Sequence, residues 1–200
     1  MDRREPRQGG RLAAGHWRSL TEMNDVKGAS GDRGPLNVRR ASIADAEQIA
    51  RVHTQAWQAA YLGILDDAYL AALDWHERAV RWLDLLSGDD GVIVLIAERD
   101  RRVVGFATGG RGRDPDSLDA DEVYAIYVLP EQWGHGIGSR LIAHLIAEFA
   151  PDSSPLLWVL EANTPAITFY THHGFVADGA SKAAHIGGRD VLEIRLVRQP

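Results

Sequence analysis

The glycines that follow a strand-like run at residues 122–128 carry the clearest chemical signal in the chain. The run ends at Pro130, and a glycine-rich turn then leads into an amphipathic helix. Glycine lets a backbone approach a ligand closely and adopt positive φ angles. The free N–H groups and the dipole at a helix N-terminus favour phosphate. The turn is therefore predicted to cradle a pyrophosphate group with Gly134, His135, Gly136, Ile137, Gly138 and Ser139.

Three alternative roles for the same glycines differ in how well they fit the sequence. A tight turn that merely requires glycine is compatible with these residues and stays open from the residues alone. A P-loop would need a Lys-Ser or Lys-Thr pair directly after the glycines, and the sequence has none there. A dinucleotide-binding fingerprint belongs to the first β-α unit of a domain, whereas this turn lies in the second half of the chain.

Two adjacent histidines, His172 and His173, raise the question of a metal site. Neighbouring residues on a helix point in different directions, so this pair makes a poor chelate. The chain has no Cys and no His-x-x-x-His spacing. No metal is therefore expected.

Hydrophobic periodicity predicts the elements that hold these residues in place. Ser42 and Asp45 have capping-box spacing, Gly63 ends the first helix, and Gly187-Gly188 marks a turn before the last strand. The β-rich runs predict strands at residues 37–41, 92–97, 103–108, 122–128, 156–160, 174–176 and 191–197. Helical spacing predicts helices at residues 42–61, 66–73, 79–86, 141–149 and 163–170.

The order of these elements indicates an α/β domain with a mixed sheet. A single helix joins the strand at 122–128 to the strand at 156–160, so these two strands are expected to be parallel. Residues 1–36 are polar and rich in Gly and Arg, and they are expected to form a flexible N-terminal tail. The folded domain is expected to span residues 37–198.

The composition and charge of the chain argue against several classes of function. It has 200 residues, of which 45% are hydrophobic, and its formal net charge is −6. That charge argues against binding to nucleic acid or to an acidic membrane surface. No apolar run reaches the ~18 residues of a spanning helix. Because the chain has no Cys and no signal-peptide pattern, a cytoplasmic location is expected. The sequence does not decide between a monomer and a homodimer.

The glycine-rich turn resembles the acetyl-CoA motif of the GNAT superfamily of N-acetyltransferases, R/Q-x-x-G-x-G/A. The pattern falls on residues 133–138 and departs from the family at Trp133, where the family has Arg or Gln. This departure weakens a role for that side chain among the cofactor-binding residues. It leaves the backbone cradle intact, because the cradle needs only N–H groups.

A second segment resembles the other cofactor-side motif of the family, N-x-x-A-x-x-F-Y-x-x-x-G-F. Its residues here are Asn163, Ala166, Phe169-Tyr170 and Gly174-Phe175, with the spacing kept in full. The resemblance covers about residues 37–198. It implies a GNAT-like single domain whose mixed, mostly antiparallel sheet has a central parallel pair of splayed strands and flanking helices.

The resemblance also implies roles for individual residues. The pantetheine arm of acetyl-CoA would pair with the free edge of the strand at 122–128, and the N–H of Val128 would stabilise the oxyanion. Tyr170 would act as general acid toward the departing thiolate, the alternative being a core tyrosine. Asn163 would contact the cofactor arm, cap its helix, or do both. Glu122 would accept the ammonium proton, the alternative being a solvated carboxylate at a strand end.

The first helix contributes a further candidate contact. Trp57 and Tyr61 lie on its apolar stripe and are either core residues or contacts to the acceptor. Since cysteine is absent, direct transfer of acetyl from acetyl-CoA to a primary amine in a ternary complex is the expected reaction. The acceptor would be a small molecule or a peptide. The alternative is a non-catalytic acyl-CoA-binding or regulatory domain of the same fold.

Overall fold

The computed structural model describes residues 34–199 and builds them around a seven-stranded sheet of order β1-β2-β3-β4-β5-β7-β6. Residues 1–33, which make up most of the predicted tail, lie outside the described residues. The strands are β1 (Asn37–Arg40), β2 (Ile93–Arg99), β3 (Arg102–Arg111), β4 (Asp121–Val128), β5 (Leu156–Leu160), β6 (Phe175–Ile186) and β7 (Arg189–Arg198). The helices are α1 (Ala46–Ala60), α2 (Asp67–Ala71), α3 (Trp75–Ser87), α4 (Ile137–Ala147) and α5 (Thr164–His172).

The predicted α/β class and the central parallel pair are confirmed. Helix α4 joins β4 to β5, and these two strands run parallel, while the other neighbouring strands in the sheet are antiparallel. The parallel ladder has only two positions, Glu122–Leu156 and Val123–Leu157. Beyond Val123 the two strands separate, which opens a gap in the middle of the sheet.

Helices cover both faces of the sheet, as two consecutive residues of β3 show. Phe106 faces α1 and α3, since its ring lies 5.4 Å from that of His53 and 5.0 Å from that of Trp82. A Cβ added to Gly105 would lie 3.2 Å from the Leu141 side chain of α4. Because successive strand residues point to opposite faces, α1 and α3 lie on one face and α4 on the other.

The predicted start of the first helix is confirmed. The backbone N–H of Ser42 donates to the Asp45 carboxylate at 2.8 Å, and a single 3₁₀ turn precedes α1. Arg39 also donates to Asp45, at 2.8 Å, and chiefly this bond lowers the pKa of the carboxyl group to about 2. The ion pair fixes the end of β1 to the beginning of α1.

The hairpin of β6 and β7 differs from the sequence prediction in its length. A strand was expected only at residues 174–176, but β6 continues to Ile186. Its stretch of Ala, Gly and Asp has little strand preference of its own. Pairing with β7 makes it a strand, with the predicted turn at Gly187 and Gly188 taking φ angles of 58° and 76°. A Cβ on Gly187 would clash with the Tyr69 ring, so the turn packs directly on α2.

Candidate active site

The gap between β4 and β5 exposes a backbone donor at Val128. The next N–H along the chain, that of Leu129, donates to the Val104 carbonyl of β3 at 2.9 Å. Consecutive strand residues direct their N–H groups to opposite edges. The N–H of Val128 therefore points away from β3 and toward the gap, where the ladder with β5 has already ended. This is the position that a preorganised oxyanion donor requires.

The predicted anion cradle lies at the beginning of α4. Gly134 and Gly136 have φ angles of 75° and 72°, and Gly136 is the N-cap residue, with no side chain capping the helix. A Cβ at Gly136 would enter open space beside the first N–H groups of α4. Free N–H groups at a helix N-terminus favour phosphate, so this open space is where the predicted cradle would hold one. His135 and Ser139 are exposed beside it, whereas the Ile137 side chain is buried.

The third glycine of the motif has a packing role. A Cβ at Gly138 would lie 3.1 Å from the Phe169 ring of α5. Its absence lets α4 and α5 approach closely, which places both predicted cofactor motifs side by side. Asn163 is buried and caps α5, its side-chain oxygen accepting the Ala166 N–H at 3.2 Å.

Trp133, where the sequence departs from the family motif, makes a specific contact. Its indole N–H donates to the Val128 carbonyl at 2.8 Å, and its side chain is otherwise partly exposed. The indole therefore holds the end of β4 at the gap through the same residue whose N–H is directed there. A function for this side chain was not apparent from its type, because the bond depends on the turn geometry.

Tyr170 lies on α5 in an almost fully buried position. Among residues 34–199 no group forms a hydrogen bond with its hydroxyl. Burial raises the pKa of this phenol, and the nearby Tyr61 raises it further. The group therefore stays protonated at neutral pH and is available as a donor.

The face of the sheet opposite α4 presents a cluster of aromatic side chains at the gap. Tyr61 and Tyr127 share a hydrogen bond between their hydroxyl groups, and the Trp57 ring packs edge-on against that of Tyr61 at 4.9 Å. Sequence reasoning missed Tyr127, although its place directly before Val128 puts it on the opposite face of the strand from Val128. Burial and the Tyr61 phenol raise its pKa, and Tyr170 adds to the same shift. Tyr61, Tyr127 and Tyr170 are therefore within electrostatic reach of one another.

Glu122 is buried at the start of β4 and is held by Arg113. The carboxylate accepts the Arg113 backbone N–H at 2.9 Å and two of its guanidinium N–H groups at 2.5 and 3.1 Å. Only 1% of its surface is exposed. Both oxygens are occupied, so direct proton transfer to Glu122 would first require Arg113 to move.

A second carboxylate, Glu193 on β7, was not singled out from the sequence. It lies opposite Leu160 at the end of β5 and is partly buried. Among the described residues no cation pairs with it. Burial is the main cause of the raised pKa of Tyr61, and the charge of Glu193 raises it further. The carboxylate is thus within electrostatic reach of the aromatic cluster. No local sequence pattern identifies it, since its position depends on the β5–β7 pairing.

A surface cavity of about 260 Å³ lies at the end of β5, and two of its lining residues, Ile64 and Leu160, belong to the hydrophobic cluster that contains Trp57 and Tyr61. It is bounded by Ile64 after α1, by residues 160–162 at the end of β5, and by residues 189–192 of the β6–β7 hairpin. The Arg189 guanidinium donates to the Ile64 carbonyl at 3.3 Å and ties the hairpin to the α1–α2 connection.

The two adjacent histidines contact neighbours on their own helix. His172 contacts the Thr168 carbonyl through Nδ1, and the His173 ring packs on Phe169. Residues 34–199 contain no group of three or more His, Asp or Glu side chains arranged to hold a metal ion. No helix in that part of the chain is both long and apolar enough to cross a membrane.

Comparison with known proteins assigns this arrangement to a family. The model of the acetyltransferase (GNAT) family matches residues 47–175, which include the gap and both cofactor-side motifs. The chain belongs to the GNAT family of acetyltransferases, as its sequence motifs implied, and it is an acyltransferase.

Individual relatives agree with this assignment. The uncharacterized N-acetyltransferase YuaI of Bacillus subtilis is 36% identical over 138 residues, 68% of this chain and 77% of the relative. The ribosomal-protein-alanine N-acetyltransferase of Brucella melitensis has a similar structure, with 26% identity and a TM-score of 0.63, covering 81% of this chain and 98% of the other. The yncA protein of Salmonella typhimurium, solved with its cofactor acetyl-CoA, is 25% identical with a TM-score of 0.59, covering 82% and 93%.

Proposed function

We propose that the protein transfers an acetyl group from acetyl-CoA to a free primary amine by direct attack in a ternary complex. The observation that carries the proposal is the Val128 N–H, which faces the gap between β4 and β5 with the start of α4 on one side and the aromatic cluster on the other. The yncA relative contains acetyl-CoA in the same fold. The glycine-rich turn and the gap fit a phosphate group and an extended arm of that kind.

Several groups of this chain would bind and orient the donor substrate. The first N–H groups of α4, at Ile137, Gly138 and Ser139, would hold the phosphates. The open edge of β4 would pair with the amide groups of the arm. When bound, acetyl-CoA supplies an acetyl group in a thioester that an amine can attack. The Val128 N–H would then donate to the acetyl oxygen as negative charge develops there.

Tyr170 is the proposed general acid. In the reaction a C–N bond forms and the C–S bond breaks, so the sulfur must gain a proton. The Tyr170 hydroxyl is protonated, and no described residue engages it in a hydrogen bond. Donation from a positioned phenol would make the thiolate a better leaving group.

The proton that the amine loses has two candidate acceptors. Glu122 is the acceptor expected from the sequence, but it is buried beneath Arg113. Glu193 has no cation partner among residues 34–199 and lies within electrostatic reach of Tyr61. A water molecule could link either carboxylate to the amine. Replacing Glu122 and Glu193 in turn tests which of the two accepts the proton.

An assay of CoA release tests the proposed function. Purified protein is mixed with acetyl-CoA and a panel that contains small primary amines, peptides with free α-amines and lysine-containing peptides. We expect release with at least one acceptor class, with intersecting initial-velocity lines that indicate a ternary complex. Parallel lines would contradict direct transfer, because they are the signature of a covalent acyl-enzyme. A thermal shift with acetyl-CoA but no release with any amine would favour the non-catalytic binding domain.

A further inference from the structure

Arg78 on α3 is a partly buried cation that has no carboxylate partner within residues 34–199. Its guanidinium carbon lies 4.7 Å from the centre of the Trp57 ring. Of the other partly buried guanidinium groups in residues 34–199, Arg39 pairs with Asp45 and Arg195 with Asp178. Arg99 on β2 and Arg198 on β7 also have no carboxylate partner there, so it is the position of Arg78 beside the aromatic cluster that sets it apart. Stacking on an aromatic ring offsets part of the cost of burial, but it leaves the N–H groups of the fork without an anion.

The neighbours that act electrostatically on Arg78 include no carboxylate. Burial lowers the pKa of this guanidinium, and the neighbours that act on it are the phenols of Tyr127, Tyr69 and Tyr61 together with the cation Arg81. None of these groups is a carboxylate. A guanidinium in such surroundings is stabilised by an anion that enters from outside.

Arg78 is also close to the proposed reaction centre. The Trp57 ring beneath it packs against Tyr61, whose hydroxyl bonds to that of Tyr127, the residue before Val128. The phosphates of the donor would bind at the start of α4. This aromatic cluster lies on the opposite face of the sheet. Arg78, stacked on Trp57, therefore lies on the face from which an amine would reach the gap.

We infer that the acceptor is a small amine bearing an anionic group, a carboxylate or a phosphate, which Arg78 binds through its guanidinium fork while the amine is directed into the gap. Both groups match the planar fork, which can donate two parallel N–H bonds. A polycationic acceptor is disfavoured, because the charge of Arg78 would repel it. This inference rests on the proposed function and specifies its substrate class.

Matched pairs of acceptors test the inference in the wild-type protein. One series contains glycine, β-alanine, 4-aminobutyrate and 5-aminopentanoate, each compared with its primary amide. A second pair compares phosphoethanolamine with ethanolamine and distinguishes phosphate from carboxylate. We expect kcat/KM for at least one anionic member to exceed that of its neutral partner about 10- to 100-fold, the range for a charge-assisted bond. Equal values within every pair that reacts would overturn the inference while the proposed function stands.

Variants of α3 test whether Arg78 is responsible for the preference for anionic acceptors. In Arg78→Met the advantage of the anionic acceptor should disappear, with kcat/KM for the neutral partner changed less than about twofold. Arg78→Lys keeps the charge but not the fork and should retain part of the preference. Arg81→Met, one turn further along α3, is the matched control and should behave as wild type. An anionic preference that survives in Arg78→Met would overturn the assignment to this residue.

A binding measurement separates this inference from the proposed chemistry. The complex with CoA is titrated calorimetrically with 4-aminobutyrate, phosphoethanolamine and their neutral partners. Tighter binding of an anionic member, lost in Arg78→Met, supports the inference even if no CoA is released. Equal binding of the charged and neutral members, or no binding of either, overturns it. Failure of every amine to release CoA while this binding is observed would instead count against the proposed function alone.

Discussion

The hydroxyl groups of Tyr61 and Tyr127 lie 2.8 Å apart and join the end of α1 to β4 beside the gap in the sheet. Burial raises the pKa of both phenols, so the bond is one between neutral hydroxyl groups. It connects the residue next to the proposed oxyanion donor to the helix that carries Trp57.

Removing either hydroxyl should weaken the domain by a similar amount. We expect Tyr61→Phe and Tyr127→Phe each to lower the free energy of unfolding by about 0.5–1.5 kcal/mol, because each leaves its partner without a bond. The double variant should cost less than the sum of the two. Urea denaturation of all four proteins measures the coupling. Strict additivity would show that the two groups act independently.

Tyr170→Phe keeps the ring and removes only the proposed proton donor. We expect kcat to fall by about 10²–10⁴, as is typical for a lost general acid, with little change in the affinity for acetyl-CoA. Steady-state kinetics and calorimetric titration measure the two quantities. Since no described residue is hydrogen-bonded to this hydroxyl, stability should hardly change. An unchanged kcat would return Tyr170 to the role of a core residue.

Gly136→Val should abolish binding of acetyl-CoA. The side chain would enter the open space at the start of α4, and φ at this position is 72°. In the wild type, acetyl-CoA at a hundredfold excess over Kd should stabilise the fold by about 2.7 kcal/mol. Gly179→Val is a matched control, since Gly179 also has positive φ and open space around its Cβ. Both variants should melt earlier, but only Gly136→Val should lose the shift with acetyl-CoA.

The two carboxylates near the gap should respond differently to replacement by Gln. Glu122→Gln weakens a buried ion pair with Arg113 and should lower the free energy of unfolding by about 1–3 kcal/mol. Glu193→Gln should instead lower kcat/KM near neutral pH. The rate should partly recover as the pH rises and more of the amine is already deprotonated. Rate profiles from about pH 6 to about pH 10 distinguish the two. The reverse pattern would support Glu122 as the base.

His53 makes the stability of the domain sensitive to acid. Burial, with a contribution from the Arg78 charge, lowers its pKa to about 3, whereas an unfolded histidine titrates near 6.5. Between these two values only the unfolded chain takes up the proton. The free energy of unfolding should therefore fall on acidification by up to about 1.4 kcal/mol per pH unit.

The His53 ring packs against Trp57 and Tyr127, so His53→Phe keeps a ring at this position and should remove that dependence. Urea denaturation between about pH 7 and about pH 4.5 measures the slope. His144→Gln, at an exposed position on α4, should keep the wild-type slope. If His53→Phe were as acid-sensitive as the wild type, the loss of stability would have to come from other groups.

Sequence patterns predicted the fold well where local chemistry decides it. The capping pair Ser42 and Asp45, the helix stop before Gly63 and the Gly187-Gly188 turn all occur where their residue types require them. The length of β6 was missed because its own residues have little strand preference. Only its pairing with β7 makes it a strand.

The candidate site was predictable only in part, for a similar reason. The glycine-rich turn is a local feature, and its backbone conformation follows from its residues. Arg78, Tyr127 and Glu193 acquire their positions from packing between elements distant in sequence. Nothing in the vicinity of Glu122 in the sequence indicates its burial beneath Arg113, because a loop of the β3–β4 connection folds back over it.

The two-position ladder between β4 and β5 divides the sheet into two leaves of four and three strands. Bridges across this division include the ion pairs of Asp114 with Lys182 and of Asp116 with Arg195, which are partly exposed and weaken with salt. Few backbone hydrogen bonds therefore join the two leaves, and packing of side chains holds them together. A molecule whose amide groups paired with the free edge of β4 would act as a missing strand. Such a molecule would supply backbone hydrogen bonds at the division of the sheet that the protein itself does not form.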